Sequence, residues 1–186
     1  MRALTKQEVI TWCEGRSIGS TSSGHLYFDQ TGPHSLLLTL PTKPYQILYL
    51  AWSLLPRRTD GSLDSALLWI CQRDIWTEEV ERLGERVFDD LRTAWGIKER
   101  LADRPGQIYP PEQSSELWMS FVVPMLFGWD AFMVPASQEY FVFNSHDEVI
   151  SVVTRTEELC QELLRGLENW KPQLDNRWYF KPPESQ

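Results

Sequence analysis

Cys71, Cys160, His146 and Asp147 are the residue types from which a nucleophile, a base and an orienting acid could be drawn, with Asp74 as a second acid near Cys71. Such a site needs thiol, imidazole and carboxylate to converge. Local spacing does not bring them together. His146 and Asp147 are neighbours, so they would point to opposite faces of any continuous strand. Cys71 lies inside the apolar "LLWICQ" and Cys160 on an apolar helical stripe, and both contexts suit a buried, inert thiol. No GxSxG elbow is present. The four residues therefore stand as candidates for a small Cys/His hydrolase, without a motif that assigns any of them a catalytic role.

Metal and cofactor chemistry find less support. His25, His34 and His146 show no HxH, HxxxH or HExxH spacing, and Cys13, Cys71 and Cys160 form no CxxC pair. "GRSIGSTSSG" (15 to 24) lacks the Lys-Ser/Thr ending of a phosphate-binding loop and follows a helix, so it reads as a plain flexible loop. No cofactor is expected. Adjacent acids such as Asp89 and Asp90 diverge by about 100 degrees on a helix and make a poor acid/base pair.

The elements that would position these residues follow from periodicity. Residues 4 to 14 form a helix, and 25 to 30 and 35 to 40 a hairpin around "TGPH". Residues 45 to 55 are apolar nearly all round, as a buried helix is. Residues 66 to 76 begin as an interior strand. Over 77 to 96 the spacing predicts an amphipathic helix, with Val80, Leu83, Val87, Leu91 and Ala94 on its apolar stripe and Glu78, Glu81, Glu85 and Asp89 among the acids on the other faces. A Pro/Gly loop covers 102 to 113. Residues 114 to 123 read as a helix, with a strand rich in Val and Phe as the alternative, closed by Pro124 in either case. Three runs, 130 to 135, 139 to 145 and 148 to 155, form an antiparallel meander, and 156 to 170 the last helix.

This pattern predicts an α+β fold: a mostly antiparallel sheet with helices packed on one face, as a single domain over 1 to 170, and a Pro/aromatic tail over 171 to 186. "NSHDE" (144 to 148) supplies the polar turn of the second hairpin, which makes His146 a loop-tip side chain.

Charge and aromatic content point to the class of function. A net charge of −8 argues against binding nucleic acid or an anionic membrane electrostatically and suits a basic protein partner. The longest uncharged apolar run, 117 to 129, is too short to span a bilayer, so a cytoplasmic protein is expected. Nine tryptophans are the strongest anomaly, and most are expected in the core. Trp178, Tyr179 and Phe180 stand in the tail, where they serve either as a core-covering strand or as a partner contact.

Small size, acidity and missing catalytic signatures are similar in type to bacterial immunity and adaptor proteins. The expected function is a non-enzymatic protein-binding module, an inhibitor or adaptor for a basic protein. Its contact surface would be drawn from the acid-rich helix (Glu78, Glu81, Glu85, Asp89), the turn (His146, Asp147) and the tail. The Cys/His hydrolase is one alternative, and an obligate subunit of a larger or homodimeric complex is the other.

Overall fold

Continuous apolar runs such as "ALLWICQ" and "YFVFN" put large side chains on both faces of a strand, and a strand of that kind is stable only between two covering layers. The computed structural model, which describes residues 1–21, 24–28, 34–58, 60–73, 75–137 and 139–175, has this arrangement. Among the described residues the strands are β1 (Arg2–Leu4), β2 (Ile18–Ser20), β3 (Leu26–Phe28), β4 (His34–Thr39), β5 (Ala66–Gln72), β6 (Gly106–Tyr109), β7 (Asp130–Pro135), β8 (Tyr140–Ser145), β9 (Val149–Thr154) and β10 (Gln173–Asp175). The α-helices among them are α1 (Lys6–Glu14), α2 (Pro44–Ser53), α3 (Glu78–Ala94), α4 (Ser114–Phe127) and α5 (Glu157–Gly166). Eight strands form one sheet in the order β1-β6-β5-β7-β8-β9-β4-β10, and β2 and β3 form a separate ribbon. All their pairings are antiparallel. The fold is α+β, as the sequence predicts.

The sheet divides the core in two. On one face Leu68, Met133, Val142 and Val152 meet α2, α3, α4 and α5; on the other Trp69, Phe132, Phe141 and Val153 meet α1 and the β2–β3 ribbon. Both faces are covered, where the sequence predicts helices on one. Short strands hid the second layer. Ile18, Leu26 and Phe28 come from three-residue strands that show no measurable alternation, yet all three are fully buried.

Pairing differs from expectation in the same region. β3 pairs with β2, inside the expected flexible loop, and β4 pairs with β9 and β10, so 25 to 30 and 35 to 40 do not form one hairpin. β6 sits within the expected Pro/Gly loop, confined between Pro105 and Pro110. The meander β7-β8-β9 agrees with the sequence.

α4 runs through Pro124 for almost another turn, ending at Gly128 in the left-handed conformation. A proline removes one helical hydrogen bond. Here the helix is held by burial instead: every residue from Ser120 to Met125 is buried, and the Pro124 carbonyl accepts the Trp129 N–H at 2.9 Å.

Thr5 and Glu8 close a reciprocal cap on α1, Glu8 N donating to Thr5 Oγ1 at 3.2 Å and Thr5 N to Glu8 Oε2 at 2.8 Å. The Arg104 guanidinium joins Glu8 at 2.7 Å and ties α1 to the segment that leads into β6. The Thr5 bonds, with Arg2 and Arg104, hold the Glu8 carboxyl down from its ordinary 4.5 to about 2. A depressed carboxylate contributes stability that is fully present above pH 4.5 and is lost as pH falls towards 2. Glu8→Gln is therefore expected to flatten the pH dependence of the urea midpoint between pH 4.5 and 2. An unchanged slope would count against this role.

Candidate functional site

α3 is rotated from its expected orientation. Its buried residues are Gly84, Phe88 and Arg92, while Val80, Leu83 and Val87 are exposed, Leu83 at 57%. The acids at 81, 85 and 89, spaced four apart on one side of the helix, bind the body of the protein. Glu81 accepts the Trp76 N–H at 3.0 Å and the Trp129 indole N–H at 2.8 Å. Glu85 pairs with Arg73, and Asp89 accepts the Leu101 N–H at 2.7 Å. Glu78 alone of the four points to solvent, beside Arg82.

Gly84 decides this rotation. A Cβ there would lie 2.4 Å from Trp129 Cζ2 and 2.9 Å from Phe127 Cδ1, so only glycine lets α3 approach α4 and the buried Trp129. Once Gly84 faces Trp129, the 3.6-residue period turns Leu83 and Val87 away from the core.

The result is an apolar outer surface. Of the nine large apolar side chains exposed among the described residues, eight lie on α2 (Tyr45, Tyr49, Trp52), on α3 and the preceding Trp76, and on α4 (Leu126). α4 packs against both α2 and α3. Among the described tryptophans Trp69 and Trp129 are fully buried, Trp12, Trp118 and Trp170 pack partly buried against the core, and Trp52 and Trp76 are exposed on this surface. Trp52 stands edge-on to Trp118, with ring centroids 5.8 Å apart.

Where α3 meets α4 the surface opens into a cavity of about 290 Å³ lined by Leu40, Trp76, Val80, Leu126, His146 and Glu148, among others. The Trp76 indole N–H donates to the Phe127 carbonyl at 2.8 Å and so covers the C-terminal end of α4. The β8–β9 turn forms the opposite rim. Glu148 occupies the left-handed region at φ 60°, as the last residue of a three-residue hairpin loop does. α3, through Val80, and the β8–β9 turn thus border one cavity, and none of the four α3 acids expected at the contact lines it.

His146 is more constrained than a loop-tip side chain. Its backbone N–H and its Nδ1 both reach Asp130 Oδ1, each at 2.8 Å, and the Asp130 side chain is only 5% exposed. Asp147, the expected partner, is 77% exposed and lies 3.6 Å from Nε2. The orienting acid is therefore Asp130. Its signal in the sequence is slight, because it stands 16 residues away at the start of a strand.

Neither thiol hydrogen-bonds His146. Cys71 Sγ lies 3.4 Å from the Asp130 backbone carbonyl, and burial followed by the Asp130 charge pushes the thiol well above its ordinary value. Cys160 is buried, and its thiol is raised by the same desolvation. It bonds Thr154 at the far end of β9, roughly 17 Å from the turn at a strand rise of ~3.3 Å per residue. A raised thiol is a weak nucleophile. Asp74, Trp178, Tyr179 and Phe180 lie outside the described residues.

A larger cleft of about 850 Å³ opens between the end of α2 and α5. Its lining mixes Arg57 and Arg58 with Glu139 and Glu162 and includes none of the residues singled out from sequence. Among the described residues no group of three or more His, Cys, Asp or Glu could hold a metal, and no helix is long and apolar enough to cross a membrane. No protein family, curated protein or solved structure matches the chain.

Proposed function

We propose that this chain is a non-enzymatic protein-binding module of inhibitor or adaptor type, whose contact surface is the outer face of α3 with the cavity beside the β8–β9 turn. The observation that carries the reading is the exposure of Val80, Leu83 and Val87 on an amphipathic helix, continuous with exposed Trp76 and Leu126. Clustered exposed apolar side chains are costly to leave in water and mark interaction sites. Interaction surfaces also favour Trp and Tyr, and exposed Trp76 supplies one here. The net charge of −8 favours a basic partner, by steering its approach.

Photo-crosslinking in the source cells tests the proposal. A benzophenone amino acid at position 83 is expected to give a discrete adduct with one protein, while the same probe at exposed Gln7 on α1 gives none. Absence of any adduct at position 83 would overturn the proposal.

A further inference from the structure

The cavity at the α3–α4 junction has the chemistry of a receptor for a cationic side chain, and we infer that it takes a lysine or arginine of the protein partner. This inference rests on the binding-module reading and names what the partner places there. Its walls are apolar: Leu40, Val80 and Leu126, with the half-exposed Trp76 at one side. Such walls accept an aliphatic stem, and an indole attracts a cation held near it.

Every fixed charge at this cavity is negative. Glu148 lines it and is exposed, and among the described residues its carboxylate has no hydrogen bond or ion pair. Asp147, the preceding residue, is exposed and acidic but lies outside the lining. Residues 125 to 128 bring the C-terminal end of α4 to the cavity, where the helix dipole is negative. Among the described residues no lysine or arginine lines it, and His146 is the one basic group there, its ring already engaged by buried Asp130.

Volume fits the same occupant. About 290 Å³ is at the small end of ligand sites, which suits one long side chain better than a whole cofactor. A basic side chain with an aliphatic stem satisfies both the apolar walls and the unpaired carboxylate. An uncharged apolar side chain of equal length satisfies only the first.

The test uses the full-length ¹⁵N-labelled protein and three probes: N-acetyl-arginine amide, N-acetyl-lysine amide and the uncharged N-acetyl-norleucine amide. Saturable shifts of the Trp76 indole N–H and of the His146 and Glu148 amides are expected with the two cationic probes. Norleucine is expected to bind about threefold more weakly or worse, the size of a part-exposed ion pair. Glu148→Gln should weaken the cationic probes by a similar factor without changing norleucine, and Glu148→Lys should abolish their shifts. Equal binding of norleucine, an unaltered response in Glu148→Gln, or no shift at all would each overturn the inference. A partner adduct at position 83 together with an unresponsive cavity removes only this inference. A responsive cavity in a protein that gives no adduct removes the binding-module reading instead.

Discussion

Gly84→Val is expected to destabilise the protein by about 3 kcal/mol, at the upper end of the cost of forcing carbon atoms into a packed interior. The new Cβ alone would stand 2.4 Å from Trp129 Cζ2. Trp129 cannot move aside cheaply, because it is fully buried, stacks on Phe127 at 5.5 Å and donates its indole N–H to Glu81. For a chain of this length each kcal/mol lowers the melting temperature by roughly 2–4 °C, so a drop of about 6–12 °C should appear in a thermal scan. The sign is the sharper test. Helix propensity alone makes Gly→Ala in a helix favourable by about 1 kcal/mol, yet Gly84→Ala is expected to lose stability. Gly166→Ala on α5, where a Cβ meets nothing within 4 Å, should gain up to about 1 kcal/mol and serves as the control. Stabilisation by Gly84→Ala would mean that α3 does not sit against Trp129.

Leu83→Asp is expected to separate binding from folding. Leu83 is 57% exposed, so the substitution should change stability by no more than about 0.5 kcal/mol, as at ordinary surface positions. Affinity for the protein crosslinked at position 83 should fall roughly 30-fold, the equivalent of about 2 kcal/mol at a central contact. Chemical denaturation and titration calorimetry read the two quantities on the same samples. If α3 instead buried the stripe in its own core, a carboxylate at position 83 would cost several kcal/mol of stability. A large loss of stability, or an affinity unchanged within twofold, would therefore defeat the assignment by two different routes.

Most of the elements were legible because their signals are local. The meander β7-β8-β9 follows from three β-prone runs joined by short polar turns, and α3 and α5 from their helical period. Strands of three or four residues carry too few alternations to register, and so β1, β2, β6 and the second covering layer escaped. The β3–β4 hairpin was predicted from a Gly-Pro turn signal, but pairing is a long-range choice. β4 gains more by lying between β9 and β10, where Leu36 and Leu38 reach the core.

The candidate site divides along the same line. The sequence by itself determined that α3 is an amphipathic helix, that a polar turn joins β8 to β9 and that the chain is acidic, because period, turn chemistry and charge are properties of neighbouring residues. The turn is only residues 146–148, since Asn144 and Ser145 pair with β9 as strand. Only the tertiary structure decided which way α3 faces. Periodicity identifies two faces of a helix without saying which is buried, and hydrophobicity favoured Val80, Leu83 and Val87. Close approach overruled it: Gly84 fits against Trp129, Phe88 enters the core, and Glu81, Glu85 and Asp89 find donors on the body of the protein. The same step left an apolar stripe in water beside a cavity lined by Glu148, while the pairing of β7 with β8 set His146 on a buried Asp130 that lies 16 residues away.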